Sequence, residues 1–254
     1  MSLVECQMKN VVLRRNAKFE VIVNNLTIPE PIGNEKEEHK LPLLGISGAG
    51  KTTLLNLMAG MEWPHEGTIR WRFPDNKIIE WGPKGLSAVH ASQLRRRYFG
   101  YSFQSSTLIE HLNVRDNLCY QLMLKNKRRP CVKTAGKALE TLFKTESGSS
   151  IEDILNRFPS TLSGGEKQRI ALLQAMIHKP SVIFADEPTG SLDRKTRTEV
   201  MKTLYKWVDD PVHKGRRLLI WVTHHEMDPR DADVMKYICI LNGIPEWKKL
   251  EVDF

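Results

Sequence analysis

Residues 45–52 have the composition of a phosphate-binding loop. They read GISGAGKT and match the pattern G-x-x-x-x-G-K-[ST]. The apolar residues 43–46 before them predict a strand, with Pro42 allowed only at its first position, and the apolar spacing of 52–61 predicts a helix after them. Glycines let successive backbone N–H groups face an anion, and a helix start adds unpaired donors and a positive dipole end. The sequence therefore predicts that this loop binds the phosphates of a nucleotide.

Two side chains of the loop are predicted to bind the nucleotide and its metal ion, in addition to the backbone N–H groups. Lys51 is placed to reach the β- and γ-phosphates, and the Thr52 hydroxyl is placed to ligate Mg²⁺. The alternative is a glycine turn with a surface lysine, which the flanking strand and helix disfavour. The predicted nucleotide-binding residues of this loop are Gly45, Ser47, Gly48, Ala49, Gly50, Lys51, Thr52 and Thr53.

An acidic pair follows a second apolar strand, predicted at residues 181–185. Another continuous apolar strand is predicted at 218–223, and such runs are typical of parallel strands covered on both faces. A carboxylate at the end of a core strand can hold Mg²⁺, so Asp186 is predicted as a metal ligand opposite the loop threonine. The adjacent Glu187 is predicted to orient or deprotonate a water. The alternative role of such a pair is a helix N-cap or a turn.

A second anion-binding turn is predicted at residues 162–169, which read LSGGEKQR. Ser163, Gly164 and Gly165 place bare N–H groups at the start of an apolar helix. The sequence offers one lysine-bearing phosphate loop and one strand that ends in acids, so it has no second set of these residues to accompany the second turn. The second turn therefore either serves another anion or completes a site on another copy of the chain.

These motifs, in this order, resemble those of ATP-binding-cassette (ABC) ATPases. The turn at 162–166 resembles the family signature LSGGQ. By the same resemblance, Gln104 is the Q-loop glutamine that senses Mg²⁺ and a permease, and residues 191–193 are the D-loop, with Asp193 at the nucleotide site. His224 is similar to the switch histidine that contacts the γ-phosphate. Taken singly, Gln104 and His224 would be ordinary polar residues at strand ends.

The resemblance extends from about residue 11 to 243 and implies the fold. It implies one nucleotide-binding domain over 1–254: an α/β P-loop NTPase core with a mainly parallel sheet at 1–104 and 181–254, and an inserted α-helical subdomain at 105–180. The sequence pattern predicts helices within that insert at 113–124, 133–143 and 165–177.

The resemblance also implies a function, that of the ATP-binding and ATP-hydrolysing subunit of an ABC transporter. Two copies would enclose two Mg-ATP, each between the P-loop of one and the signature of the other, and drive separate integral-membrane permease subunits. The implied catalytic residues are Glu187, His224 and Gln104, and the implied metal ligands are Thr52, Gln104 and Asp186. Residues 104–124 would face the permease, with Leu108, Ile109 and Leu112 as apolar anchors. Residues 185–193 are most similar to the branch of macrolide exporters, lipoprotein-release ATPases and cell-division ATPases.

One position departs from the family pattern and leaves base recognition open. Where an adenine-stacking tyrosine is expected, the chain has Arg15, and Phe19 is the nearest aromatic residue. Either a guanidinium or a phenyl ring can stack on a base. If neither does, affinity comes from the triphosphate and Mg²⁺ alone. Two other functions also stay open: a soluble ABC ATPase such as one in iron–sulfur assembly, and a regulatory nucleotide-binding module that drives no transport.

Net charge and composition limit the classes of partner that the chain is expected to bind. The formal net charge of +8 admits nucleic acid, an anionic membrane surface or an anionic ligand. The basic residues lie in short groups between apolar residues, which favours solvated helix faces and loops, with a partner at the membrane surface as the alternative. We expect no nucleic acid. No apolar run approaches the roughly 20 residues of a spanning helix, and no secretory signal is expected. The four cysteines lack metal-ligand spacing. A cytoplasmic protein, peripheral on the membrane, is expected.

Overall fold

The computed structural model describes residues 3–16, 19–30, 39–104, 107–123, 131–142, 150–190, 192–225 and 230–250. The strands are β1 (Glu5–Asn16), β2 (Phe19–Ile28), β3 (Lys40–Leu44), β4 (Glu66–Arg72), β5 (Ile78–Trp81), β6 (Phe99–Ser102), β7 (Val182–Asp186), β8 (Leu218–Val222), β9 (Lys236–Leu241) and β10 (Ile244–Lys249). The α-helices are α1 (Lys51–Met58), α2 (Ala88–Tyr98), α3 (Val114–Met123), α4 (Cys131–Leu142), α5 (Ile151–Asn156), α6 (Gly164–Met176) and α7 (Arg194–Val208). Among these helices, none has the length and apolar character needed to cross a bilayer.

A six-stranded sheet, in the order β10-β9-β3-β8-β7-β6, forms the centre of the fold. Its neighbouring strands run parallel from β9 to β6, and β10 pairs antiparallel with β9. Every residue of β8 is buried, as expected of an apolar strand covered on both faces. The α/β fold with a mainly parallel sheet, predicted from the sequence, is confirmed. The carboxyl ends of β3, β6, β7 and β8 meet at one edge of this sheet.

The first face of this sheet is covered by α1 and by a second, antiparallel sheet of order β2-β1-β4-β5. Trp71 of β4 is fully buried, and its Nε1 donates a hydrogen bond of 2.9 Å to the carbonyl of Met58 at the end of α1. The sequence predicted a strand at 21–28, which lies within β2, and did not predict β1, β4 or β5. This second sheet fixes α1, and with it the phosphate loop, against the central strands.

The opposite face is covered by α6 and α7. Beside it, side chains of α3, α4, α5 and α6 form a separate buried cluster. The helices predicted at 113–124, 133–143 and 165–177 are confirmed as α3, α4 and α6, with residues 124 and 143 outside the described part. The short α5 was not predicted. The division of the chain at 105–180 stays a prediction.

Leu108 was predicted as an apolar anchor for a partner and is instead buried in the cluster of α3 to α6. Ile109 and Leu112 are half-buried. The aromatic side chains exposed nearby are Phe103, at 39%, and Tyr120, at 46%. The prediction for Leu108 was therefore wrong, because an apolar residue at the edge of a helix group is first used to close that group.

Pro42 lies inside β3, and the prediction that it begins the strand was wrong. Its ring has no N–H to donate. The carbonyls of His39 and Leu43 accept hydrogen bonds from Leu219 of β8 and from Thr223 after it. Alternate residues from 39 to 43 therefore bond toward β8, and Pro42 faces the other side. On that side, the pairing with β9 covers Leu43 and Leu44. The missing donor falls ahead of the paired part of the strand, which explains why proline is tolerated there.

The contact between β6 and α6 gives a test of the packing. A Cβ atom at Gly100 would lie 2.1 Å from the carbonyl oxygen of Ala175, whereas one at Gly136 in α4 would meet nothing within 4 Å. We expect Gly100→Ala to lower the free energy of unfolding by about 1–3 kcal/mol through overpacking. The matched control Gly136→Ala should raise it by about 0.5–1 kcal/mol, because alanine favours a helix over glycine. Chemical denaturation measures both, and equal stability of Gly100→Ala and the native chain would contradict this packing.

Candidate nucleotide-binding and hydrolysis site

The loop between β3 and α1 depends on two glycines. Gly45 has φ 149°, and a Cβ there would lie 2.6 Å from the carbonyl oxygen of Ile240. Gly50 has φ 103°, and a Cβ there would lie 2.9 Å from Cγ2 of Val21 and 3.1 Å from Cζ of Phe19. The backbone can therefore take this path only with glycine at both positions. Between them, Ser47 and Gly48 are exposed and Ala49 is buried.

Lys51 lies across this loop. Its Nζ donates hydrogen bonds of 2.7 Å to the Gly45 carbonyl and 2.8 Å to the Ile46 carbonyl. Burial lowers the pKa of Lys51, and the negative charges of Glu187 and Asp186 oppose that shift. The first N–H groups of α1 have no acceptor within the helix, and the helix dipole is positive there. An ammonium group and a helix start together favour a polyanion at this loop. Thr53, another predicted contact, is buried under it.

The acid that ends β7 contacts the first turn of α1. The Thr52 hydroxyl donates a hydrogen bond of 3.1 Å to Oδ1 of Asp186. Burial raises the pKa of Asp186, and the hydrogen bond from Thr52 acts in the opposite direction. The two side chains thus bring a hydroxyl oxygen and a carboxylate oxygen together beside the phosphate loop.

Glu187 is the point where three strand ends converge. It has φ 46°, in the left-handed region that only a few per cent of non-glycine residues occupy. Gln104, after β6, donates from Nε2 to Oε2 of Glu187 at 3.1 Å. His224, after β8, contacts Oε1 of the same carboxylate through its Nε2. The three side chains predicted as catalytic therefore lie in one cluster.

The end of β8 is held by its own threonine. The Thr223 N–H donates to the Leu43 carbonyl at 3.2 Å, and the Thr223 hydroxyl accepts a hydrogen bond from the His225 N–H at 3.0 Å. Thr223 is buried, while His224 beside it is 42% exposed in its side chain. Thr223 was predicted only as the last residue of the strand at 218–223. Its buried contacts fix the turn from which the histidine projects.

The predicted second anion turn lies at the start of α6. Ser163 and Gly164 are exposed, and Ser163 caps the helix by accepting a hydrogen bond from the Glu166 N–H at 3.2 Å. A Cβ at Gly165 would lie 3.2 Å from Cγ2 of Thr196 in α7, so this glycine packs against the next helix. The turn therefore exposes Ser163 and Gly164 to solvent and packs against α7 through Gly165.

Asp193 caps α7. Its Oδ1 accepts hydrogen bonds from the N–H groups of Lys195, at 3.0 Å, and Thr196, at 3.1 Å. Ser191, predicted in the same loop, lies outside the described residues. In the part of the chain that the structure describes, no hydrogen bond joins Asp193 or Ser163 to the phosphate loop or to Glu187. The predicted residues thus form two groups that share no hydrogen bond in the described part of the chain.

A series of hydrogen-bonded side chains connects β1 to β6, the strand before Gln104. It was not predicted from the sequence. Tyr101 of β6 donates to Oδ1 of Asn56 at 2.8 Å, and Asn56 donates to Oε1 of Glu62 at 3.0 Å. The same carboxylate oxygen accepts a hydrogen bond of 2.5 Å from Arg15. The available signal was the spacing of Asn56, four residues after Thr52 and so on the same face of α1. The side chain of Arg15 is thus hydrogen-bonded to Glu62, which lies beyond the end of α1.

Comparison with known proteins assigns the family. The family model described as ABC transporter matches residues 34–190. The sulfate/thiosulfate import ATP-binding protein CysA of Synechocystis sp. is 37% identical over 222 residues, which are 84% of this chain and 56% of that protein. The bacitracin export ATP-binding protein BceA of Halalkalibacterium halodurans is 35% identical over 185 residues, 72% of this chain and 65% of that protein. The chain spans about half the length of the CysA relatives that it matches.

Solved structures agree with the sequence relatives. A dimeric structure of the ATP-binding cassette MJ0796, in a post-hydrolysis state bound to ADP and Pi, matches with a TM-score of 0.75 and 26% identity. The match covers 98% of this chain and 100% of that one. Since the family model spans more than half of the chain and the solved cassette matches almost all of it, the chain belongs to the ABC transporter family, as an ATP-binding cassette.

Proposed function

We propose that the chain is the ATP-hydrolysing subunit of an ABC transporter. The observation that carries the proposal is the contact of Glu187 with both Gln104 and His224, beside the loop that holds Lys51. A carboxylate, an amide and an imidazole from three strand ends are the groups that a water and a γ-phosphate require. The matched solved cassette, with ADP and Pi bound, supports the same chemistry.

The phosphate loop binds the substrate in this account. The N–H groups at the start of α1 and the Lys51 ammonium neutralise the β- and γ-phosphates. On binding, the ammonium exchanges its contacts with the Gly45 and Ile46 carbonyls for contacts with phosphate oxygens. Desolvation of Lys51 strengthens that attraction, because charges interact more strongly away from water.

The oxygen donors beside the loop fit Mg²⁺. The ion prefers oxygen ligands and usually takes one or two from the protein, with phosphate oxygens and waters for the rest. Thr52 and Asp186 present two such oxygens 3.1 Å apart. Gln104, whose amide nitrogen donates to the adjacent Glu187, carries a further amide oxygen. These three residues would hold the ion, which supplies charge neutralisation on the phosphates when bound.

Glu187 acts on the attacking water. In the single chain its carboxylate is occupied by Gln104 and His224. When the γ-phosphate attracts His224, one carboxylate oxygen becomes free to accept a proton from water. The water oxygen then bonds to the γ-phosphorus, the bond from that phosphorus to the β-bridging oxygen breaks, and ADP and phosphate form.

A second copy of the chain completes the site. Among the described residues, Ser163, Gly164, Gly165 and Asp193 make no hydrogen bond to the phosphate loop of their own chain, and they would close on the ATP held by the partner. The dimeric state of the matched cassette MJ0796 supports this arrangement. The sandwich thus contains two Mg-ATP and two P-loops, each facing the partner's signature.

Transport requires separate permease subunits, which we place against Gln104 and α3, with the chain on the cytoplasmic face of the membrane. Two relatives are named for sulfate/thiosulfate import and bacitracin export, so their cargo and direction differ. The assignment to the macrolide-exporter, lipoprotein-release and cell-division branch is a finer proposal, supported by residues 185–193 alone.

The first test of this function is Glu187→Gln. The amide cannot accept the proton, so phosphate release should fall at least about a hundredfold while ATP still binds. An ATP-bound dimer should accumulate, which light scattering measures. The control Glu246→Gln alters an exposed carboxylate on β10 and should leave turnover unchanged. Native turnover in Glu187→Gln, with only monomer in ATP, would remove Glu187 from the catalytic role.

The second test separates the two anion turns. Lys51→Ala should weaken ATP binding at least about tenfold, because a charge-assisted contact with phosphate is lost. Ser163→Arg should leave binding by the monomer intact and block closure. A mixed dimer of the two variants contains one site with both residues native, so mixing should restore part of the ATPase activity. Mixed dimers without any recovery would contradict completion of the site in trans.

The third test concerns the base. Because Arg15 is engaged with Glu62, we expect weak base discrimination, with ATP and GTP dissociation constants within a few-fold of each other. Titration of the native chain, Arg15→Ala and Phe19→Ala with both nucleotides measures this. A preference for ATP above about thirtyfold, or roughly 2 kcal/mol, that Phe19→Ala removes and Arg15→Ala retains would instead identify Phe19 as the base platform.

A further inference from the structure

The signature turn carries a carboxylate close to the place where it would meet a phosphate. Glu166 is the third residue of α6, in the first turn of the helix. The positive end of a helix attracts anions, and a carboxylate there stabilises the helix itself. The same negative charge would repel an incoming phosphate unless another group neutralises it.

Both oxygens of this carboxylate have partners. Oε2 of Glu166 accepts a hydrogen bond of 2.8 Å from the Ser163 N–H, and the Glu166 N–H donates back to the Ser163 hydroxyl. Oε1 accepts a hydrogen bond of 2.8 Å from the guanidinium of Arg157. Burial acts to raise the pKa of Glu166, but the hydrogen bonds from Ser163 and Arg157 outweigh it and the pKa is lowered. The carboxylate is therefore ionised and paired.

Arg157 is fixed from several directions. Its N–H donates to the Ile154 carbonyl at the end of α5, and its carbonyl accepts from the Val114 N–H at the start of α3. Its side chain extends across the 3₁₀ turn Pro159–Thr161 and also donates to the Thr161 carbonyl. The side chains of Arg157 and Glu166 are 32% and 21% exposed, so solvent screens the pair only in part.

We propose that Arg157 is a positioning residue for the signature. Its guanidinium neutralises Glu166 and holds the carboxylate in the capping geometry that orients Ser163. The start of α6 then presents N–H groups and a hydroxyl to the partner's nucleotide without a competing negative charge. This proposal rests on the proposed function, because it requires the signature to close on ATP bound by a second copy.

The test compares charge with structure in the Glu187→Gln chain, in which ATP is not consumed. Arg157→Ala should leave the ATP affinity of the monomer unchanged and weaken ATP-driven dimerisation about tenfold, since an unneutralised charge faces the phosphate. Adding Glu166→Gln to Arg157→Ala should restore most of the dimerisation, because glutamine keeps an oxygen for the Ser163 N–H and carries no charge. Sedimentation with ATP measures each dimer constant.

Two controls isolate the effect. Arg115→Ala removes an arginine that pairs with Glu152 in the same group of helices. Among the described residues it has no hydrogen bond or ion pair with the signature, so dimerisation should not change. Higher salt should lessen the defect of Arg157→Ala, since salt screens repulsion and does not repair a misfolded turn. Circular dichroism melting establishes that each variant is folded.

The outcomes distinguish this proposal from the function on which it rests. Failure of the Glu187→Gln parent to dimerise with ATP overturns the proposed function and this proposal with it. A parent that dimerises, together with an equally strong Arg157→Ala dimer, overturns the role of Arg157 alone. A double variant as weak as Arg157→Ala also overturns it, because the arginine would then act only through its contact with the Thr161 carbonyl.

Discussion

The parallel pairing of β3, β8, β7 and β6 is the constraint on which the site depends. Its register sets Ser102 beside Ala185, and Val222 beside both Asp186 and Leu43. The segments that follow these strands therefore leave the sheet at one edge. A shift of one residue in any pair would turn its side chains to the opposite face. Both faces of β7 and β8 are buried, so the fit of individual side chains on each face, and not an apolar–polar alternation, sets that register. The core of the protein therefore also determines the geometry of its chemistry.

In the single chain, the polar groups of the site satisfy one another. Lys51 bonds to the carbonyls of its own loop, Glu187 pairs with Gln104 and His224, and Ser163 pairs with Glu166. Buried or half-buried charges would be costly without such partners. Under the proposed function, a nucleotide replaces several of these contacts when it binds, and the same groups then act on phosphate and water. The contacts that stabilise the isolated chain are thus the ones that must break before these groups can react.

The local motifs were predictable from the sequence, and the long-range contacts were not. The phosphate loop and Asp186 follow directly from residue types beside apolar strands, since a few neighbouring residues determine both. The antiparallel sheet of β1, β4 and β5 was missed because its strands are half-buried, and their pairing depends on α1 beneath them. The hydrogen bond from Tyr101 to Asn56 joins residues 45 positions apart, and no local sequence pattern predicts it.

The signature illustrates the same limit over a shorter distance. Its anion-binding turn was predicted from Ser163 and the two glycines, which are adjacent in sequence. The pairing of Arg157 with Glu166 depends on the 3₁₀ turn between them, which brings residues nine positions apart into contact. Sequence also could not place the signature relative to the phosphate loop, because that distance is set by how α6 packs on β6. In the described part of the chain no hydrogen bond joins the two groups of residues, which agrees with the proposal of a site shared by two chains.

Under the proposed function, one copy of the chain cannot complete a hydrolytic site. The most direct measurement is the specific ATPase activity of the native chain over a wide range of protein concentration at saturating ATP. If two copies complete each site, activity per chain rises with concentration and reaches a plateau as dimers form. A constant activity per chain, down to concentrations at which light scattering with ATP detects only monomers, would contradict it.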